Sequence, residues 1–277
     1  MNDPFKITEP TVISFSGGRT SAYLLWRVLQ SNNGLPDDAR AVFANTGKEA
    51  EETLEFVRDC SKHWNVHIDW VEYTSEEPKF KVVDFDSASR EGEPFEQVIR
   101  HYGKLPNPAQ RWCTGILKIR TIHKFVRSLG WKHSESDNAD FVGIRADEPR
   151  RAAKMNHAKI PLYVDGITKH DIQEFWNNQP FNLNLETING ETIKGNCDLC
   201  FLKALPKTIA LIRKEPQRAD WWIKMESIID STGYEQGAGD KFRKERPSYK
   251  QLKVIAISQQ DMFNDVGDQD IPCFCGD

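Results

Sequence analysis

The chain has 277 residues, 39% of them hydrophobic and 28% charged, and a net charge of -4. Its mean hydropathy is -0.60, which excludes a disordered chain and a membrane protein and leaves a globular one, long enough for a large α/β domain with a smaller appendage. No apolar run approaches the ~20 residues of a membrane helix, and the opening MNDPFKITEP has no signal-peptide stretch, so a cytoplasmic location is expected.

Thr11 to Phe15 (TVISF) is a β-branched apolar run that predicts a buried strand. SGGRTS follows, and then Ala22, Leu25 and Leu29 fall on one helical face. Ala41 to Ala44 predicts a second buried strand, and Glu49 to Lys62 a second helix with Leu54 and Val57 inward. Val66, Ile68 and Trp70 alternate as in a third strand. Ile119, Ile122, Val126 and Leu129 mark another helical stripe, and Ala139 to Ile144 another strand. Strands alternating with helices imply a doubly wound, mostly parallel α/β sheet.

The pattern changes after Arg151. Thr168 and Asp171 have the spacing of a capping box, and FNLNLETINGET predicts a loop or hairpin. Helices are expected from about Leu202 to Lys214 and from Asp220 to Ile229, before an irregular tail. The expected division is therefore an α/β nucleotide-binding part, 1–165, and a mainly helical, cysteine-bearing lobe and tail, 166–277.

The segment Ser16-Gly17-Gly18-Arg19-Thr20-Ser21 lies between a strand and an amphipathic helix. The glycines permit a sharp turn and close approach to a ligand, the helix start offers unpaired N–H groups, and Ser16, Thr20 and Ser21 add hydroxyls. This is the pattern of a pyrophosphate cradle at the end of the first strand. A valine at Gly17 is expected to block the phosphates while sparing the fold of an exposed loop.

SFSGGRTSA resembles the PP-loop of ATP pyrophosphatases and phosphoadenosine phosphosulfate (PAPS) reductases. Further segments fall in the same order: Asn45-Thr46-Gly47 with Glu49 and Glu52-Thr53-Leu54, then Arg111-Trp112-Cys113 with Lys118. Gly143-Ile144-Arg145 with Glu148 and Arg151 is similar to the reductase-like motif, and Pro161-Leu162, Asp171-Ile172 and Trp176 follow it. Thr20 departs from the pattern, because many PP-loops carry Asp there. The resemblance covers residues 10–215 and implies an adenine nucleotide alpha hydrolase-like fold with ATP and Mg²⁺ as cofactors. It puts the pyrophosphate on Ser16 to Ser21 and the adenine near Phe43 and Asn45. Lys118, Arg145, Arg150 and Arg151 are then candidates to stabilise charge developing on phosphate.

Of six cysteines, Cys60 reads as an inert core residue. Cys197-x-x-Cys200, Cys113 and the tail pair Cys273 and Cys275 point to metal or sulfur chemistry. Cys113, Cys197, Cys200 and one tail cysteine, Cys273 or Cys275, make a four-thiolate set for a [4Fe–4S] cluster, with zinc as the competitor; taking Cys273 as the ligand leaves Cys275 to carry labile sulfur. The seven histidines show no ligand spacing, and Trp221-Trp222 reads as core.

Because the chain is acidic overall, nucleic-acid binding must rest on local basic groups. Two such groups run from Lys118 to Arg127 and from Arg145 to Lys154, and a third from Lys241 to Arg246 reads as a solvated face. The resulting expectation is an ATP pyrophosphatase of sulfur insertion, most similar to the DNA phosphorothioation branch. Its expected partners are DNA, single strands included, and a cysteine desulfurase as sulfur donor; a homodimer is allowed and no membrane contact is expected. The alternatives are a reductase of PAPS or adenosine phosphosulfate (APS) that releases sulfite, and a tRNA thiolation enzyme. Cys275-Gly276 faintly matches the reductases' C-terminal E-C-G-x-H motif, but its Glu and His are missing.

Overall fold

The computed structural model describes residues 3–131, 140–188, 191–192, 194–195, 197–230 and 240–258. The first unit is β1 (Thr11–Phe15), α1 (Arg19–Asn32) and β2 (Ala39–Asn45), followed by α2 (Glu51–Trp64) and β3 (Ile68–Tyr73). A fourth strand, β4 (Phe80–Val83), pairs antiparallel with β3, and α3 (Glu93–Tyr102) follows. Then come a π-helical segment, Thr114–Arg120, α4 (Thr121–Ser128) and the short β5 (Asp140–Phe141). The sheet order is β4-β3-β2-β1-β5, and β1, β2, β3 and β5 are parallel. The fold is the doubly wound α/β arrangement expected for an adenine nucleotide alpha hydrolase-like chain, with a helical C-terminal region.

Successive strand residues face opposite sides, so one strand feeds two cores. Ile13, Phe15, Phe43 and Trp70 pack on α1 and α2, whereas Val12, Val42, Ala44 and Val71 pack on Ile122, Phe125 and Val126 of α4. Helices therefore cover both faces. The chain leaves β1 toward β2 and later returns to its other side as β5. That reversal opens a crevice between β1 and β5 at the carboxyl ends of the strands.

After α5 (Pro149–Ala152) and α6 (Pro161–Val164), α7 (Lys169–Asn177) begins with the predicted capping box. The Thr168 N–H and hydroxyl both donate to Asp171, at 2.8 and 2.6 Å. Ile172 and Trp176 of α7 enter the first core. The predicted hairpin is β6 (Thr187–Ile188) paired with β7 (Glu191–Thr192). The helices α8 (Leu205–Lys214), α9 (Ala219–Asp230) and α10 (Tyr249–Ser258) enclose a second core with α3. Among the described residues no helix is long and apolar enough to cross a membrane.

The stripe expected from Ile119 to Leu129 is corrected. Ile119 and Leu129 are 45% and 44% exposed, while Ile116, Leu117, Ile122 and Val126 are buried. The π-helical segment has a longer repeat than 3.6 residues, which rotates the buried face away from the position that simple helical spacing assigns. The helix expected from Leu202 begins at Leu205, with Pro206 in its first turn, where a missing N–H is harmless.

Candidate functional site

The segment 16–21 joins β1 to α1 at the crevice. α1 has Gly18 as its N-cap, no side-chain cap and no acidic residue in its first turn. Its leading N–H groups and dipole thus present an uncompensated positive end, suited to an anion. Ser21 braces the turn from inside: its hydroxyl donates to the Gly18 carbonyl at 2.9 Å and accepts from the Ser16 hydroxyl at 2.9 Å and the Ser16 N–H at 3.1 Å.

Gly17 has φ of 81°, in the left-handed region, and is buried. A Cβ there would lie 2.6 Å from Thr53 Cγ2 and 3.2 Å from Phe43 Cε2. This corrects the expectation for Gly17→Val: the added side chain strikes α2 and β2. Arg19 also turns away from the loop, donating from Nε to Asn182 at 2.8 Å and from Nη2 to the Leu183 carbonyl at 2.7 Å. The Arg19 carbonyl accepts from Trp176 Nε1 at 3.0 Å, so α7 holds the first turn of α1 in place.

The loop after β5 closes the other side of the crevice. A Cβ on Gly143 would lie 3.3 Å from Ser21 N and Cα and from Thr20 Cγ2, so a larger residue would have to push the two backbones apart by a few tenths of an ångström. Arg145 then reaches Thr20, donating from Nη1 to its hydroxyl oxygen at 3.2 Å. Glu148 orders the motif: it accepts from the Arg145 N–H at 3.1 Å and pairs with Arg151 at 2.5 Å. Arg150 is exposed on α5. The structure thus brings Ser16, Gly17, Gly18, Thr20, Ser21 and Arg145 together, ties Arg151 to Glu148 and leaves Arg150 facing solvent.

Phe43 and Asn45 have internal roles. Phe43 is fully buried and packs edge-on to Trp70, with ring centroids 4.8 Å apart. Asn45 donates to Glu72 at 2.6 Å and to the Ser89 carbonyl at 2.8 Å, and accepts from the Gly47 N–H at 3.1 Å.

The turn after β2 leads from the nucleotide loop to the cysteines. Glu49 accepts from the N–H and hydroxyl of Thr46 at 2.9 and 2.8 Å, and its other oxygen lies 3.4 Å from Lys118 Nζ. The Thr46 hydroxyl contacts Cys197 Sγ at 3.5 Å. Asp198, missed in sequence, fastens the lobe to this turn: its N–H donates to the Lys48 carbonyl at 2.7 Å. Its buried carboxylate lies 3.5 Å from Lys48 Nζ and 3.7 Å from Arg218, and accepts from Trp222 Nε1 at 2.9 Å.

Cys113 caps the π-helical segment that carries Lys118, and Cys113, Cys197 and Cys200 belong to one apolar cluster. An all-sulfur donor set in an apolar shell suits a cluster or zinc. Among the described residues no three His, Cys, Asp or Glu side chains stand as a metal-holding group. Cys273 and Cys275 lie outside the described residues. Cys60 is fully buried, and desolvation pushes its thiol pKa far up, which suits an inert core residue.

Comparison with known proteins gives three findings. The model of the phosphoadenosine phosphosulfate reductase domain matches residues 10–165. An uncharacterized nin region protein, ORF290, of Escherichia phage lambda is 31% identical over 208 residues, which cover 71% of this chain and 67% of that protein. An uncharacterized protein of Methanocaldococcus jannaschii is 33% identical over 159 residues, covering 57% of this chain but 28% of the archaeal protein.

Proposed function

Because the chain belongs to the phosphoadenosine phosphosulfate reductase domain family, a family of nucleotide-utilising, sulfur-related enzymes, we propose that it is an ATP pyrophosphatase of sulfur insertion whose acceptor is a DNA backbone phosphate. The observation that carries this reading is the meeting of the 16–21 loop with Gly143 and Arg145 across the crevice. An uncapped helix start with a guanidinium held beside it suits a polyphosphate chain, with Mg²⁺ as its companion ion.

In this reading an acceptor phosphate oxygen attacks the α-phosphorus of ATP. The new P–O bond forms as the bond to the pyrophosphate oxygen breaks. A cysteine persulfide, charged by a cysteine desulfurase, then attacks the activated backbone phosphorus through its outer sulfur and AMP leaves; a thiol reductant cleaves the remaining S–S bond, releasing the phosphorothioate and a disulfide. Arg145 holds the negative charge that builds on the phosphates, and Lys118, set on the π-helical segment beside Glu49, supplies a second cation on the cysteine side. Arg150 and the Arg151–Glu148 pair face the acceptor. Cys113, Cys197 and Cys200 with Cys273 would hold the cluster, and Cys275 would carry labile sulfur.

The family match equally favours a second reading, a reductase acting on PAPS or APS. The two differ in products. The protein is incubated with ATP, cysteine, a desulfurase, a thiol reductant and DNA or tRNA, and separately with PAPS or APS and the same reductant, while pyrophosphate and sulfite are measured side by side. Pyrophosphate with sulfur in DNA is expected. Sulfite without pyrophosphate would overturn the proposal, and sulfur in tRNA would change the acceptor but keep the chemistry.

A further inference from the structure

The aromatic residues between α3 and the π-helical segment form a chain that runs from the surface to the cysteine side of the site. Tyr102, the last residue of α3, is 38% exposed. Its ring stacks on Trp112 with centroids 5.7 Å apart and planes 26° from parallel. His101 stands edge-on to Tyr102 at 5.0 Å. Trp112 meets Phe95 edge-on at 6.4 Å, and Phe95 contacts Trp221 at 5.3 Å. Trp112 is thus fixed from below, and its residue neighbour is Cys113.

Local charge is opposite to that of the whole chain. Between Glu93 and Arg120 stand five cations, Arg100, Lys104, Arg111, Lys118 and Arg120, against two carboxylates, Glu93 and Glu96, in a chain of net charge -4; Arg100 pairs with Glu96 and Lys118 with Glu49, so Lys104, Arg111 and Arg120 carry the segment's excess positive charge. An exposed ring stacked on a supported tryptophan within a basic segment matches what an unpaired nucleobase and its phosphate need. The base takes the π-face, the phosphate takes the cations, and a duplex offers neither an open base nor the same geometry. A core role explains Phe95, Trp221 and the lower face of Trp112, but not the exposed ring of Tyr102 placed parallel to it.

We propose that Tyr102 and Trp112 form a stacking platform for a base of a single-stranded acceptor, next to the phosphate to be modified. The proposal rests on the nucleic-acid acceptor named above. It is tested by fluorescence anisotropy with a labelled oligothymidylate and with a duplex of equal length, without ATP. Tyr102→Ala and Tyr102→Leu, the latter keeping Trp112 covered, should weaken single-strand binding roughly 5- to 150-fold. Tyr102→Phe should retain it, and duplex binding should change little. Unchanged single-strand affinity in both variants, an equal loss on duplex, or absence of single-strand binding by the native protein would overturn the platform. Because the measurement needs no ATP, failure to form pyrophosphate would defeat the ATP pyrophosphatase reading without affecting this result.

Discussion

Arg145 donates from Nη1 to the Thr20 hydroxyl oxygen, 3.2 Å away, although 125 positions of sequence separate them. Thr20 offers Arg145 a neutral acceptor, whereas carboxylates meet its charge, Glu148 among them at 3.8 Å. The guanidinium also contacts Asp147 at 2.9 Å, and its backbone is set by Glu148. Arg145→Ala should therefore weaken ATP binding by about 1.5–3 kcal/mol, the usual loss for a hydrogen bond to a charged group. Calorimetry checks this; an unchanged ATP affinity in the folded variant would remove Arg145 from the site.

Gly17 separates a structural role from a binding one. Its φ of 81° and the 2.6 Å approach of a Cβ to Thr53 Cγ2 make any side chain there both strained and crowded. Gly17→Ala should lower stability by about 1–3 kcal/mol in urea melts. Gly17→Ala with Thr53→Ser should recover part of the loss, because Ser lacks the obstructing methyl. A fully stable Gly17→Ala would contradict the contact.

Asp198 joins the cysteine lobe to the turn after β2. Its carboxylate faces Lys48, Arg218 and Trp222, and all four side chains are largely buried. Removing the carboxylate strands Lys48 in a poorly hydrated site, while Arg218 keeps its pair with Glu215 at 2.9 Å. Asp198→Ala should cost about 3–5 kcal/mol, and Asp198→Asn less, because the carboxamide oxygen still accepts from Trp222. Urea unfolding of the three proteins measures the difference, and equal stabilities would show that the network contributes little.

Short-range features of this fold were legible in sequence, and contacts between distant segments were not. The β1 strand, the two glycines and the helix behind them are adjacent, so their pattern could be read directly. The Thr168–Asp171 box was legible for the same reason. α3 and α10 were missed: α3 buries only four of its ten residues, and in α10 the apolar Val254 and Ile257 are exposed, so its apolar residues do not mark one helical face. The direction in which Gly17 faces depends on α2, and the value of Gly143 depends on Ser21, so neither follows from local pattern. Trp176 and Asp198 act on segments far away in the chain, on Arg19 and Lys48. Ile119 misled because the π-helical segment does not keep the 3.6-residue repeat.

Glu226 gives the protein a specific pH dependence. Desolvation raises its pKa from 4.5 to about 7, with N–H donors from Tyr249 and Phe242 opposing the rise and Asp240 adding to it. The folded state keeps the proton to higher pH than the unfolded state does. The corresponding stability is complete below about pH 4.5 and is lost as pH rises through about 7. The loss is at most about 3 kcal/mol by linkage. Glu226→Gln retains an acceptor for the Tyr249 N–H, 2.8 Å away in the native protein, and has no charge to bury. It should therefore melt above the native protein at pH 8 and gain little at pH 5. A native protein equally stable at both values, other titrations having been matched in the variant, would show that Glu226 is not the group involved.

The cysteines provide the most direct chemical test. Cys113 and the Cys197–Cys200 pair come from segments far apart in sequence but share one apolar cluster, and Cys197 touches Thr46, whose hydroxyl is held by Glu49. Metal ligation needs these sulfurs as thiolates, so metal content reads directly whether they serve as ligands. Protein purified without oxygen should be brown and hold roughly four irons per chain if the cluster is [4Fe–4S]. Cys197→Ala and Cys200→Ala should each lose iron, and Cys60→Ala should keep it, since that thiol lies in the other core. Loss in Cys273→Ala but not Cys275→Ala would identify the fourth ligand and leave Cys275 for sulfur transfer. One zinc and no iron would favour the competitor, whereas metal-free native protein would remove both and leave the Cys197–Cys200 pair as a candidate for sulfur chemistry alone.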